Sequence, residues 1–233
     1  MPGNSLFSDH TEIYAEHSTH SGPNAYYERP AILRLAGELA GMRVLELGCA
    51  GGVLTEMLID RGADVTAVDR EPRLVELAQQ RIGQRGRAVV ADLEEPLDMV
   101  PTASVDLVIA SLVLHYIADW RPLLAELDRC LVPGGALVFS LHHPITGWRL
   151  SDQTDYHRTE LIRERWDLDG HEVTASMYRR SFSEVFGPLR AAGFTIDAVE
   201  EPQPDEGAPI PDDLMQTLKT APVFLFVRAE RSA

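Results

Sequence analysis

The sequence predicts an α/β protein built on a mostly parallel sheet, with helices on both faces and a small cap. Two observations predict it. From residue 42 onward, short apolar runs ending near Gly or Asp alternate with segments of helical period. Such alternation implies right-handed βαβ crossovers, which cover a parallel sheet on both sides. The second observation is compositional. A chain of 233 residues, 45% hydrophobic and 24% charged, can bury a sizeable core and fits one large domain.

The elements follow in order. Residues 1–28 are polar, rich in His, Ser and Tyr, and without regular period; they read as a lid or mobile arm (1–30) or as terminal disorder. Pro30 opens an apolar-periodic stretch to Ala40, as proline does in a first helical turn. MRVLEL (42–47) is a buried strand by length and flanks. Leu54, Met57, Leu58 and Arg61 then lie at helical spacing up to Gly62, and DVTAVD (64–69) is a second strand. Leu74, Leu77, Ala78 and Ile82 share one face of a helix over 71–82. RAVVAD (87–92) and the more apolar SVDLVIASLVL (104–114) are strands three and four. A helix over 120–131, closed by Pro133-Gly134-Gly135, leads to strand five, GALVFSLH (135–142). Residues 143–180 break the rhythm and read as a cap insertion with two short strands. A helix over 181–192, a strand at 194–201, a Pro-rich acidic loop at 202–213 and a last strand at 222–228 complete one domain of seven sheet strands.

Composition narrows the function. Acidic residues outnumber basic ones 36 to 21, a formal charge of −15, which disfavours nucleic acid and makes a small molecule the first expectation. No apolar run approaches the ~18 residues of a membrane span, and the first residues lack the basic start and apolar run of a secretory signal. Cys49 and Cys130 form no CxxC motif, so neither a disulfide framework nor a thiolate zinc site is expected, and the location expected is the cytoplasm.

Chemistry concentrates in Glu46-Leu47-Gly48-Cys49-Ala50-Gly51-Gly52, between strand one and the next helix. Small residues there let a ligand approach the backbone. A dinucleotide fingerprint GxGxxG needs glycines at 48, 50 and 53; Ala50 and Val53 break it, so NAD is not the expected ligand. Asp69 ends strand two, where a carboxylate can accept both hydroxyls of a ribose, and Asp92 ends strand three, within reach of an adenine amino group. Carboxylates in place of lysines suit a ligand with hydroxyls, an amine and positive charge. Taken singly, the glycines could be a tight turn and the aspartates helix N-caps; their ordered set is then unexplained.

The ordered set VLELGCAGG (44–52), AVD (67–69), VADLEEPL (90–97), VDLVIASLVLHYI (105–117) and LVPGGALVFS (131–140) resembles the class I S-adenosylmethionine-dependent methyltransferases, in particular the group related to ubiquinone and menaquinone biosynthesis. The resemblance implies a Rossmann-like sheet of order 3-2-1-4-5-7-6 with strand seven antiparallel. It implies S-adenosylmethionine as cofactor, with Gly48, Cys49, Ala50 and Gly52 in the cofactor turn and Glu46 ordering it. It assigns Asp69 to the ribose, Arg70 to the flank of the adenine, Asp92 and Leu93 to the adenine, and Ser111 to the methionine portion. Ala50 stands where the family often has glycine. The N-terminal Tyr14, Tyr26, Tyr27 and Arg29 lie where similar methyltransferases have a segment that closes over the cofactor, with a Tyr (here Tyr26) or Arg meeting the methionine carboxylate; the other reading is an arm whose tyrosines only pack.

The implied activity is methyl transfer to an O, N or C atom of a small-molecule acceptor. The alternatives are a cofactor-binding protein that does not methylate, either cyclase-like or regulatory, and a protein methyltransferase. Candidate bases are His115, His142, His143 and Tyr14, since His removes protons near neutral pH. Adjacent His142 and His143 cannot face one ion as residues at i,i+4 would, and no metal site is expected. Trp148, Tyr156, Trp166 and Tyr178 read as stacking partners or a packed cluster, and Arg179-Arg180 as a carboxylate contact or a solvated pair.

Overall fold

A computed structural model of the chain describes residues 10–232. The first nine residues of the expected arm lie outside the described residues. The sheet contains β1 (Arg43–Leu47), β2 (Asp64–Asp69), β3 (Arg87–Val90), β4 (Val105–Ala110), β5 (Leu131–His142), β8 (Phe194–Glu200) and β9 (Phe224–Arg231). Its order is β3-β2-β1-β4-β5-β9-β8. The pairs from β3 to β5 are parallel, while β9 runs antiparallel to both β5 and β8. This is the expected order, strand for strand. The order reverses between β1 and β4, and ligands of open α/β sheets bind at such a crevice, beyond the carboxyl ends of the strands.

Strand residues alternate between two cores because successive side chains point to opposite faces. Val44, Leu107, Ile109 and Val138 join one cluster, and Leu45, Val108, Leu137 and Phe139 join the other. The helices between the strands are α3 (Val53–Ile59), α4 (Pro72–Ile82) and α5 (Arg121–Cys130), and α7 (Phe182–Ala191) precedes β8. On α5, Leu123, Leu124 and Leu127 are inward, as their spacing predicts.

Several boundaries differ from the sequence reading. The apolar run 104–114 leaves the sheet after Ala110, because Leu112 takes φ +48° and a short 3-10 turn follows at Leu114–Tyr116. Strand β5 begins at Leu131, so Pro133 to Gly135 lie inside it. The acidic loop is followed by an unforeseen helix, α8 (Asp212–Thr220), whose single buried residue is Leu218. The N-terminal segment is also ordered: α1 (Thr11–His20) and a π-turn (Asn24–Glu28) precede α2 (Arg29–Ala36). The buried residues of α1 are Thr11, Ala15 and Ser18, all small or polar, which is why no hydrophobic period marks it.

The insertion forms α6 (Pro144–Leu150) and a hairpin of β6 (Glu160–Leu168) and β7 (His171–Arg179). Asp169 and Gly170 make its two-residue turn with φ of +54° and +90°, the backbone that Asp-Gly favours. Ile162, Val173 and Met177 of the hairpin pack with Ile13 and Tyr14 of α1, so arm and insertion form one cap.

Buried arginines fix the cap. Arg29 donates to the carbonyls of Ser18 (3.0 Å) and Thr19 (2.8 Å), which have no helical partners at the end of α1. Arg180 donates to the carbonyls of Ile117 and Ala118 and lies 4.4 Å from the Trp120 ring centroid. Arg179 bonds Glu160 and the carbonyls of Asp155 and Tyr156 and covers Trp148. Both arginines are therefore buried and neither lines the cavity, while Arg180 Nη1 has no hydrogen-bond partner among the described residues. Arg29→Met should release α1, since bonds to a charged donor are worth about 1.5–3 kcal/mol each. Amide exchange is expected to accelerate in residues 14–20 and to stay unchanged in β1 and β4; exchange in residues 14–20 equal to that of wild type would contradict this anchoring.

Candidate active site

A cavity of about 510 Å³ opens at the carboxyl ends of β1 and β4. Its floor is the turn from Gly48 to Gly51, its cap side carries Tyr14, His17 and Ser18, and its far wall carries His115, His142 and Trp166. The turn is built for close approach. Gly48 has φ +71°, and a Cβ there would lie 2.5 Å from Val113 Cγ2; Gly52 has φ +80°, and its Cβ would lie 2.8 Å from Ala78 Cα. Any side chain at either position collides with the neighbouring element. A Cβ added at Gly51 would lie 3.3 Å from Ala15 Cβ of α1, so the cap sits directly on the turn. Ala50 adopts φ +46°, a left-handed backbone that costs an alanine about 1–2 kcal/mol. That geometry accounts for the glycine preference at this position.

Asp69 holds the strained turn. Its Oδ2 accepts from Ala50 N and its Oδ1 from Glu71 N, each at 3.0 Å. Asp69 lies behind the turn and is not among the residues that line the cavity. Burial raises the Asp69 carboxyl above its ordinary value, opposed by these backbone bonds. Glu46, 2% exposed, has an Oε2 without a hydrogen-bond partner among the described residues. Burial first, with Asp69 and Glu28 adding, pushes its pKa up to about 8.

Glu28 is a site residue the sequence reading did not single out. The π-turn carries it to the cavity, where its Oε1 accepts from Ser111 Oγ (2.8 Å) and Ser140 Oγ (2.6 Å). Ser140 Oγ also accepts from Leu112 N at 3.0 Å, which secures the left-handed residue after β4. Nothing in the spacing of residues 28, 111 and 140 announces this contact; only sheet order joins them. Ser111 thus lines the cavity with its hydroxyl committed to Glu28.

The candidate bases separate. His115 and His142 share the cavity wall with ring centroids 4.7 Å apart, and His142 stacks on Trp166 of the hairpin. Neither ring nitrogen of His115 has a hydrogen-bond partner among the described residues. Burial lowers both, His142 to about 4, and His115 is lowered further by His142 and Arg180. Both imidazoles are neutral at pH 7. His143 does not join them. It is buried away from the cavity, its Nδ1 accepts from Ile145 N at the start of α6, and its Nε2 lies 2.6 Å from Glu201. It is a helix cap, because the chain turns there into the insertion. Tyr14 lines the cavity, and burial raises its phenol well above the usual range.

Other expected positions are dispersed. Arg70 and Asp92 pair at 3.8 Å on the exposed edge beyond β2 and β3, and Leu93 is buried in the core; none of the three lines the cavity. Gly52 faces α4, and Cys49 is buried with its thiol pKa raised by burial. Tyr26 is 37% exposed and off the cavity, because the π-turn directs Tyr27 and Glu28 inward instead. Tyr27 stacks on Phe224. Trp148 and Tyr156 pack together outside the cavity, and Trp166 alone of the insertion's tryptophans reaches it.

Glu46 makes a pH test. Its folded pKa of about 8 exceeds the ordinary 4.5, so folding is not penalised below pH 4.5 and loses stability as pH rises through the window to 8. Glu46→Gln is expected to raise the melting temperature over wild type at pH 9, with the gain vanishing near pH 4.5. A gain independent of pH would show that the carboxyl is not buried as described.

Comparison with known proteins completes the picture. Residues 45–139 match the methyltransferase domain family. An uncharacterized protein of Haemophilus influenzae is 29% identical over 89% of this chain and 88% of its own. A malonyl-[acyl-carrier protein] O-methyltransferase of Paenibacillus sp. is 26% identical over 79% of this chain and 66% of its own. A ubiquinone biosynthesis O-methyltransferase of Idiomarina loihiensis is 33% identical over 48% of this chain and 47% of its own. The match therefore spans less than two thirds of either O-methyltransferase. A crystal structure of an S-adenosylmethionine-dependent methyltransferase from Mesorhizobium loti covers 92% of this chain and 100% of its own, with TM-score 0.71 and 24% identity. Residues 45–139 thus carry a methyltransferase domain, the whole chain shares the fold of the Mesorhizobium loti methyltransferase, and the relatives support a class I S-adenosylmethionine-dependent methyltransferase with S-adenosylmethionine as cofactor.

Proposed function

We propose that this enzyme methylates an oxygen of a small, planar acceptor whose proton is already acidic, such as a phenol or a carboxylic acid, in the cytoplasm and within a single domain. The observation that carries the reading is that one cavity joins the Gly48–Gly51 turn to the unpartnered imidazole of His115. The aromatic wall of Tyr116, His142, Trp166 and Phe224 suits a flat acceptor. The relatives named as O-methyltransferases support oxygen as the atom. Among the described residues no helix is long and apolar enough to cross a membrane.

The residues present fit the cofactor. Glu46 Oε2 is a buried acceptor without a donor, which suits a ligand bringing N–H groups and positive charge. Asp69, directly behind the turn, would accept the ribose hydroxyls, and the turn admits no side chain at Gly48. Arg70 and Asp92 would flank the adenine from outside the cavity. When bound, S-adenosylmethionine supplies a methyl group on an electron-poor sulfonium.

The chain's own contribution is orientation, exclusion of water and handling of one proton. The cap holds the acceptor against the turn, and alignment of reacting groups is worth several kcal/mol. His115, kept neutral, can accept the acceptor's proton at a ring nitrogen. An imidazole with a lowered pKa is a weak base, so it matches an acidic hydroxyl better than an aliphatic alcohol.

Calorimetric titration with S-adenosylmethionine and S-adenosylhomocysteine should give binding, and incubation with phenolic and carboxylic acceptors should yield S-adenosylhomocysteine and a methylated product. Cofactor binding with no turnover on any acceptor of this class would overturn the proposal. Asp69→Asn should weaken S-adenosylhomocysteine about tenfold or more, because the amide nitrogen cannot accept a hydroxyl; unchanged affinity would remove Asp69 from the ribose site. His115→Gln should lower kcat by at least about 100-fold with cofactor affinity unchanged. The wild-type acid limb of kcat should then fall well below pH 6.5, following the lowered His115 pKa.

A further inference from the structure

The two halves of the cap meet at one point outside the cavity's aromatic wall. His17 and His20, one turn apart on α1, converge on Asp169 at the tip of the hairpin. His17 Nδ1 lies 3.1 Å and His20 Nε2 3.2 Å from the same oxygen, Asp169 Oδ2. All three donor atoms lie within 4.8 Å of one another. We propose that His17, His20 and Asp169 bind a first-row divalent transition-metal ion of the Zn²⁺ type, which clasps α1 to the hairpin over the cavity.

The donor set selects the ion. Two imidazoles and one carboxylate suit Zn²⁺ and its transition-metal neighbours, whereas Mg²⁺ and Ca²⁺ require oxygen ligands. The spacing is compatible. Ligands about 2.0–2.1 Å from a tetrahedral ion are about 3.3–3.4 Å from each other, close to the observed separations of each His from Asp169. Three protein ligands leave a fourth position for water.

The position is preorganised from both sides. Residues three apart on a helix share a face, so the two imidazoles present together. Asp169 is held in a left-handed turn, and Gly170 N bonds Asp167 Oδ1 at 2.6 Å within it. An ion bound there uses ligands from both cap elements and stabilises only the closed arrangement. His17 also lines the cavity, so the clasp reaches the site's rim. The spacing of the sequence conceals this cluster, since Asp169 follows His20 by 149 residues.

The test uses the untagged full chain, freed of metal with a chelator and titrated with ZnCl₂ against a competing indicator. One equivalent is expected to bind at micromolar concentration or tighter. His20→Gln and Asp169→Asn, the latter preserving a residue that tolerates the turn, should each weaken binding at least tenfold, while His157→Gln should not. In wild type alone, Zn²⁺ should slow amide exchange in residues 10–20. Absence of stoichiometric binding, or binding that survives both variants, would overturn the site. Binding lost in the variants but without slower exchange in α1 would overturn the clasp.

Discussion

Three carboxylates, Glu28, Glu46 and Asp69, are drawn out of water at the carboxyl edge of the sheet; burial raises the pKa of each, and Asp69 and Glu28 raise that of Glu46 further. A cluster of like charges in a poorly solvated pocket is costly unless hydrogen bonds or a ligand offset it. The fold supplies part of that offset. Two hydroxyls serve Glu28, and two backbone N–H groups serve Asp69. Among the described residues, no donor reaches the buried Oε2 of Glu46. A site of buried carboxylates short of hydrogen-bond donors is complementary to a cationic ligand with N–H and O–H groups, whose charge would favour their ionised forms.

The same carboxylates organise the backbone around them. The Asp69 bond to Ala50 N holds a left-handed alanine, and the Glu28–Ser140–Leu112 chain holds a left-handed leucine after β4. Both strained residues lie at the rim of the cavity, where strain is sustained because the surroundings over-determine it. The absence of side chains at Gly48 and Gly52 lets the segment after β4 and helix α4 close on the turn. Removing one such contact therefore disturbs strand ends, turn and cavity floor together.

Cationic side chains do the opposite work in the cap. Arg29, Arg179 and Arg180 are withdrawn from solvent and satisfied mainly by backbone carbonyls at helix ends and loops. Each ties a segment of low hydrophobicity to the rest of the molecule. The helix α1 buries little apolar surface of its own, so its position rests on Arg29, on the hairpin's small cluster and on the close approach of Ala15 to Gly51. An element held by a few polar contacts opens more readily than the sheet beneath it, as a cover over a ligand site must.

The sequence by itself determined the strands and helices of the core and the small-residue turn, because each is encoded locally: apolar period, small residues at one turn, an acid at the ends of strands two and three; the sheet order was legible only through the family resemblance. Asp69 and Glu46 were legible for that reason. The tertiary structure decided what local pattern cannot carry. Residues 28, 111 and 140 meet only through sheet order, so Glu28 escaped notice. Residues 142 and 143, alike in sequence, diverge because one ends a strand and the other caps a helix. The polar α1 acquires its helix from contacts with distant partners, and the junction of His17 and His20 with Asp169 exists only once arm and hairpin fold over the same edge of the sheet.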